Sequence, residues 1–98
     1  MAPQTNQIKI KFSKKFIEHY KKADVRIRHH VDERIRIFEK NPQESLLRNH
    51  SLRDTWKGYR SINITADWRA IYKEIFESKK DLLAYFVALG THKKLYGK

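Results

Sequence analysis

Three strand-like segments that follow one another with very short connections constrain the fold of this chain most. They are residues 59–64, 68–76 and 81–89, and each contains β-branched or aromatic side chains. Residues 65–67 and 77–80 connect them and have the length of hairpin turns. A parallel pair needs a crossover of about a dozen residues or more, so neighbouring segments this close must pair antiparallel. The C-terminal half is therefore predicted to form a three-stranded antiparallel meander.

An alternating pattern also occurs near the N-terminal end. Residues 7–12 place Ile8, Ile10 and Phe12 on one face and lysines on the other. This alternation predicts a half-buried first strand. Residues 1–6 show no periodicity, so we expect them to be flexible.

Two helices are predicted after the first strand. Ser13 can cap the first, which runs to about Lys22, and Asp24 can cap the second, which ends before Asn41. Their inward-facing side chains are expected to be Phe16, Ile17 and Tyr20 in the first helix and Ile27, Val31, Ile35 and Phe38 in the second. Residues 41–58 contain turn formers and little periodicity and are interpreted as irregular.

This order of elements is typical of an α+β domain. An N-terminal strand, a helical hairpin and a three-stranded meander can complete one sheet whose apolar face is covered by the helices. The last strand is apolar on both faces, which suits a central position. Residues 90–92 then lead into a short C-terminal helical turn that holds Leu95 and Tyr96. We expect one domain over residues 1–98.

The charge balance is strongly positive. Lysine and arginine number 22 against 11 aspartates and glutamates, a formal net charge of +11. Such a surface favours a polyanionic partner, and binding to nucleic acid would weaken with salt because counterions are released from phosphates. By composition alone, a basic protein with no role in RNA binding is an equally open interpretation.

Several protein classes are excluded by what the sequence lacks. There is no cysteine, so neither a disulfide nor a thiolate zinc site can form. No apolar run approaches the roughly 20 residues that span a bilayer, and the N-terminus has no secretory segment, so we expect a cytoplasmic protein without a membrane partner. Metal-site and phosphate-loop motifs are absent as well, so we expect the protein to use neither a metal ion nor a cofactor.

Histidines are the candidates for proton transfer. Cleavage of RNA through its 2′-hydroxyl needs a base, an acid and cations that face the phosphorane. His50 precedes the meander and His92 follows its last strand, so the two could converge at one end of the sheet. The other histidines, His19, His29 and His30, lie on predicted helices among lysines and arginines and are interpreted as surface residues.

Basic and aromatic residues flank these histidines in the sequence. The guanidinium of Arg69 could donate two hydrogen bonds to one phosphate. Trp56, Trp68 and Tyr96 could stack on splayed bases, with core packing as the competing interpretation and the favoured one for Trp56. The further candidates for RNA binding are Lys57, Arg60, Lys73, Lys93 and Lys94.

Five linked motifs occupy the C-terminal half of the chain. They are the run from His50 to Arg60 (HSLRDTWKGYR), Ala66-Asp67-Trp68, Ile71-Tyr72-Lys73, Gly90-Thr91-His92 and Leu95-Tyr96. In this order they resemble the YafQ family of the RelE/ParE superfamily, the toxins of type II toxin-antitoxin systems. The helical hairpin agrees with that family only in length and pattern.

The resemblance implies a RelE-like fold and a toxin that inhibits translation. Such a toxin is a metal-independent endoribonuclease, an mRNA interferase, which cuts messenger RNA in the A site of the 70S ribosome. A cognate antitoxin with an acidic or amphipathic segment is also implied, and DNA would be reached only through the toxin-antitoxin complex.

Residue roles follow from the same resemblance. His50 would act as general base or acid, His92 would be its partner, and Asp67 would orient or tune an imidazole. Tyr96 stands where the family usually has a phenylalanine and keeps the aromatic plane.

Two positions depart from the family pattern. Asn63 stands where the family usually has another catalytic histidine, and Ala88 stands where it has an arginine. Because the run from Trp68 to Tyr72 resembles the arginine-bearing strand of other RelE relatives, we hypothesise that Arg69 supplies the charge missing at Ala88.

Two alternatives stay open at this point. The chain could keep the fold without the chemistry, as a degenerate toxin that binds RNA or the ribosome, which Asn63 and Ala88 would permit. It could also belong to the ParE branch, whose members poison DNA gyrase.

Overall fold

A five-stranded sheet runs through the computed structural model, which describes residues 8–78 and 81–97. Its strands are β1 (Lys9–Phe12), β2 (His50–Ser51), β3 (Arg60–Asn63), β4 (Trp68–Phe76) and β5 (Leu82–Thr91). The spatial order is β1-β5-β4-β3-β2, in which β1 pairs parallel with β5 and all other neighbours pair antiparallel. The predicted α+β architecture, with a C-terminal meander and a central last strand, is confirmed.

Three α-helices accompany the sheet in the described part of the chain: α1 (Lys14–Lys22), α2 (Val25–Lys40) and α3 (His92–Tyr96). Both predicted caps are confirmed. Ser13 Oγ accepts a hydrogen bond from the backbone N–H of Phe16 at 3.0 Å, and Asp24 Oδ1 accepts one from that of Ile27 at 3.0 Å. Each cap of this kind stabilises the fold by about 1 kcal/mol.

Phe86 in the middle of β5 lies at the centre of the core. The centroid of its ring lies 5.8 Å from that of Phe16 on α1 and 5.4 Å from that of Phe38 on α2. Tyr72 of β4 packs beside it at 5.0 Å. Both helices are therefore fixed on one face of the sheet.

The prediction that Ile17 is buried is wrong. Helix α1 meets the sheet along one stripe, and Phe16 occupies that stripe against Phe12 and Phe86. The next residue lies about 100° further round the helix, and Ile17 is 41% exposed.

A β-bulge sets which residues of β4 and β5 share a face. Ile71 pairs with Ala88 whereas Tyr72 pairs with Phe86, so Val87 is an extra residue in β5. The opposite face of the sheet, away from the helices, receives Asn63 and its β4 partner Arg69, because side chains alternate along each strand. This is the face on which the candidate site lies.

The segment interpreted as irregular contains regular elements. Two 3₁₀ turns, Ser45–Leu47 and Asp54–Trp56, flank the edge strand β2. A strand of two residues has no periodicity to detect, and it is defined only by its pairing with β3. Strand β5 also extends two residues beyond its predicted end, because Gly90 and Thr91 pair with β4.

Some predictions fall outside the described residues. They concern the flexible arm over residues 1–6, the start of the first strand at residue 7 and the end of the second hairpin connection at residues 79–80. No helix in the described ranges combines the length and the apolar character needed to cross a membrane.

Candidate active site

An open cleft brings the two predicted histidines to one place. Its volume is about 730 Å³, and its lining consists of Arg48, Asn49, His50, Asn63, Ala66, Arg69, His92 and Tyr96. A smaller cavity of about 230 Å³ shares His50, His92 and Tyr96 with it. The two imidazoles therefore border one concave surface.

Different elements carry the two histidines to this cleft. His50 lies on the edge strand β2, opposite Ser61 of β3. His92 begins α3 directly after β5, and its backbone N–H donates to the carbonyl of Asp67 in the β3–β4 turn at 2.8 Å. The cleft thus forms where β2, the β3–β4 turn and α3 meet.

The tautomer of His50 is set by the backbone carbonyl of Arg48. Nδ1 lies 2.8 Å from the carbonyl oxygen of Arg48. Because a carbonyl oxygen can only accept, Nδ1 carries the proton, and the neutral ring has its lone pair on Nε2. Arg48 has a left-handed backbone, with φ of 47°, and this turn brings its carbonyl back to the ring.

Tyr96 joins His92 to the sheet. The two rings are one helical turn apart on α3, with centroids separated by 4.6 Å and planes inclined at 65°. The Tyr96 hydroxyl donates to Oγ of Ser61 at 3.2 Å, and Ser61 is fully buried. This contact ties α3 to β3, the strand that also holds β2.

Arg69 is anchored through one nitrogen of its guanidinium. Nη1 donates to the carbonyls of Thr65 at 2.9 Å, Ala66 at 3.1 Å and Trp68 at 3.1 Å. Within residues 8–78 and 81–97, no hydrogen bond engages Nη2 or Nε. The turn before β4 therefore holds the cation at the cleft and leaves N–H groups to bind a phosphate.

The electrostatic character of the cleft is cationic. Arg48 and Arg69 both line it, and no carboxylate is among its described lining residues. Histidines beside guanidinium groups can move protons and stabilise a phosphorane, which is what cleavage through a 2′-hydroxyl requires.

Comparison with known proteins identifies the family. A sequence profile described as the bacterial toxin of a type II toxin-antitoxin system, YafQ, matches residues 8–97. The chain belongs to the YafQ family. It is 38% identical over 56 residues to the mRNA interferase toxin YafQ of Escherichia coli strain B / BL21-DE3, covering 57% of this chain and 55% of that protein. The same figures hold for strain K12, so the match spans about half the length of these curated relatives.

Solved structures agree with this assignment. The E. coli DinJ-YafQ toxin-antitoxin complex contains a chain that matches with a TM-score of 0.71 and 27% identity, over 93% of this chain and 99% of that one. YafQ from strain BL21(DE3) matches with a TM-score of 0.63 and 26% identity, over 93% and 100%. A YoeB/ParE toxin from Agrobacterium tumefaciens, with a TM-score of 0.68 and 20% identity over 87% and 99%, shares the fold. The predicted RelE-like fold is confirmed.

The two departures from the YafQ pattern occupy different places. Asn63, the first of the two positions expected to depart from the family pattern, lines the cleft. Ala88 is buried on β5 opposite Ile71 and is not among the described residues that line the cleft. Arg69 does line the cleft, as required by the hypothesis that it supplies the charge missing at Ala88.

The predicted role of Asp67 towards an imidazole stays a prediction, and the contact that the structure gives it is a backbone one. Its side chain is exposed, and within the described ranges its carboxylate makes no hydrogen bond to an imidazole. Asp67 contacts His92 through its backbone carbonyl instead. This contact positions the start of α3, and because it uses the backbone, it does not depend on the side chain of residue 67.

Only one of the predicted RNA-binding residues, Tyr96, lines the cleft. Trp68 and Lys94 line a separate groove, and the remaining candidates, Lys57, Arg60, Lys73 and Lys93, are absent from the described lining of the cleft. Arg60 has a structural partner, because its Nε donates to Oδ1 of Asn49 at 2.9 Å. Lys73 Nζ lies 5.7 Å from the centroid of the Tyr59 ring.

Two polar lining residues were missed by the sequence analysis. Arg48 and Asn49 lie in the segment interpreted as irregular, where no motif marks them. Asn49 Nδ2 donates to the Tyr72 hydroxyl at 2.8 Å, and burial raises the pKa of that hydroxyl, so it stays neutral.

In the described part of the chain, no three histidine, aspartate or glutamate side chains cluster in a way that could hold a metal ion.

Proposed function

We propose that this protein is the toxin of a type II toxin-antitoxin system and a metal-independent endoribonuclease that cuts messenger RNA in the ribosomal A site. The observation that carries the proposal is the cleft in which His50 and His92 lie with the guanidinium groups of Arg48 and Arg69. Membership of the YafQ family supports it, as do the E. coli relatives named mRNA interferase toxins.

In the proposed reaction His50 is the base. Its Nε2 lone pair accepts the proton of the 2′-hydroxyl, because Nδ1 is already occupied by the carbonyl of Arg48. The 2′-oxygen attacks phosphorus, and the bond from phosphorus to the 5′-oxygen breaks. His92 donates a proton to that leaving oxygen, so the products are a 2′,3′-cyclic phosphate and a 5′-hydroxyl.

The cations stabilise the phosphorane in this scheme. Arg69 presents Nη2 and Nε to the non-bridging oxygens while Nη1 stays bound to the β3–β4 turn. Arg48 adds a second positive charge. Tyr96 holds the His92 ring, and Asp67 positions the backbone from which that ring projects.

The partners in this proposal are polyanionic. Exposed lysines outside the cleft, Lys57, Lys73 and Lys93, would attract messenger RNA and ribosomal RNA. An antitoxin with an acidic or amphipathic segment would cover the same surface, and the DinJ-YafQ complex shows that a relative assembles with another protein. DNA would be reached only through such a complex, and the reaction would take place in the cytoplasm.

The test uses purified protein with ribosomes programmed with a defined transcript. We expect new transcript ends that carry a 2′,3′-cyclic phosphate, and their loss in a folded His92→Ala variant. Cleavage by that variant at the wild-type rate would overturn the catalytic assignment.

A second candidate function is favoured by Asn63. Since this cleft residue stands where the family resemblance implies a histidine, the alternative is a protein that binds the ribosomal A site without cutting. Translation arrest with intact transcripts would support this function, and inhibited supercoiling by gyrase would instead indicate ParE-type activity.

A further inference from the structure

A second groove lies outside the cleft, between α1, α3 and the end of β5. Its volume is about 520 Å³, within the range of small-ligand sites. Lysines from two helices and both tryptophans of the chain contribute to its lining, which includes Lys15, His19, Lys22, Trp56, Trp68 and Lys94. We call it the lysine groove.

The floor of this groove is the end of β5 that β1 does not cover. β1 pairs with residues 83–86, whereas β5 continues to Thr91. The backbone groups that β1 leaves unpaired there have other partners: Ser13 Oγ donates to the carbonyl of Val87 at 3.3 Å, and the N–H of Leu89 donates to His19 Nδ1 at 3.4 Å. A partner that adds a strand would have to break these bonds, so the groove is suited to a ligand that contacts side chains.

Positive charge converges on the groove from both sides. Burial is the largest cause that lowers the pKa of His19, and the positive charges of Lys15 and Lys94 are the next largest. Lys22 also lowers this pKa, whereas Glu18 raises it. Lys15 and Lys22 come from α1, whereas Lys94 comes from α3. Their ammonium groups therefore act on one small region, which is the arrangement that attracts a phosphate.

Partly exposed indole rings complete the lining. Trp56 Nε1 donates to the carbonyl of Leu95 at 3.0 Å, which fixes its ring against α3. Trp68 packs against the core on one side and lines the groove on the other. Fixed aromatic surfaces beside lysines are what single-stranded nucleic acid binders offer to a base and its phosphate.

We propose that the lysine groove binds one nucleotide of the RNA strand beyond the scissile step, its base against Trp56 or Trp68 and its phosphate against Lys15, Lys22 and Lys94. The proposal rests on RNA being the substrate. Helix α3 links the two sites, because Lys94 lines the groove while His92 and Tyr96 line the cleft. A strand that leaves the cleft therefore meets the groove on the other side of one five-residue helix.

The chain provides its own probe and a matched control. Its only two tryptophans line the groove, so quenching of intrinsic fluorescence reports occupation of this site. Lys15→Gln with Lys22→Gln removes two groove lysines. Lys14→Gln with Lys21→Gln removes the same charge from the same helix at the same spacing, at exposed positions that do not line the groove in the described structure.

Binding is measured with RNA that carries a 2′-deoxy substitution at the scissile position, so the result does not depend on catalysis. We expect a longer oligonucleotide to quench the fluorescence and a dinucleotide to bind without quenching. The Lys15/Lys22 variant should bind the longer RNA about tenfold more weakly, with a salt slope lowered by about two, one for each lysine. The Lys14/Lys21 variant should keep the wild-type affinity and slope.

Three results would overturn the groove assignment. The first is an equal loss of RNA affinity in the two double variants, and the second is no loss of RNA affinity in either. The third is quenching of the tryptophan fluorescence by a poly-glutamate peptide but not by RNA, which would make the groove a site for an acidic protein segment. Failure of the proposed nuclease function has a different signature, namely normal binding and quenching without cleavage of an unmodified transcript.

Discussion

The ring of Tyr96 lies against the ring of His92, with centroids 4.6 Å apart, while its hydroxyl reaches Ser61 on β3. Ser61 is the β3 partner of His50. One side chain therefore connects α3, which carries His92, with β3, the strand on which the His50 strand β2 pairs. The spacing of the proposed acid and base depends on this connection.

Removing only the hydroxyl should loosen that connection. In Tyr96→Phe the buried Ser61 loses its partner, and the free energy of unfolding should fall by about 1 kcal/mol. The ring contact with His92 stays, so single-turnover cleavage should slow less than in Tyr96→Ala. Urea unfolding and single-turnover rates check both statements, and equal rates in the two variants would remove the positioning role of the ring.

Replacing Arg69 tests the proposed phosphorane contact. Arg69→Ala should slow single-turnover cleavage by about a hundredfold or more, on the order of 3 kcal/mol. Arg26→Ala, on the exposed surface of α2, is the charge-matched control and should leave the rate unchanged. A wild-type rate in a folded Arg69→Ala protein would show that the transition-state charge is stabilised elsewhere.

A modified leaving group separates the two histidines. His50→Ala and His92→Ala should each lower the rate by about 10² to 10⁴. A 5′-phosphorothiolate substrate, whose sulfur leaves without a proton, should restore much of the rate to His92→Ala and none to His50→Ala. Rescue of the His50 variant instead would reverse the assignment of base and acid.

The stability of the protein should depend on pH through His19. Burial, followed by Lys15 and Lys94, holds the pKa of His19 below its usual 6.5. Between the folded and the unfolded pKa the unfolded chain binds more protons, so stability rises with pH there. The contribution is complete above about 6.5 and is lost as the pH falls towards the folded pKa.

Urea unfolding at about pH 5.5 and about pH 7.5 measures this dependence. His19→Asn should lose less stability on acidification than the wild type, since the asparagine oxygen can still accept the N–H of Leu89 but does not titrate. His29→Asn, at an exposed position on α2, is the control. An unchanged pH dependence in His19→Asn would mean that other groups produce it.

Much of the fold could be predicted because its determinants are local. Ser13 and Asp24 cap their helices through hydrogen bonds three residues away, and the meander is defined by connections too short for any other pairing. Strand β2 could not be predicted, because its two residues are ordered by β3 rather than by their own pattern. Ile17 was misassigned because an apolar residue beside the buried stripe has the same local signature as one within it.

The amino-acid sequence by itself determined which chemistry was available: histidines near both ends of the meander, a large excess of cations and family motifs in a fixed order. Only the tertiary structure decided which basic and aromatic residues share a site with the histidines. Arg48 reaches the cleft through a left-handed turn, whereas Trp68 and Lys94 line the lysine groove. The physical reason is that neighbouring residues of a strand point to opposite faces, so Arg69 lies at the cleft and Trp68 at the groove. Arg48 and Lys94 lie outside the strands and are placed by the tertiary packing of a turn and of α3.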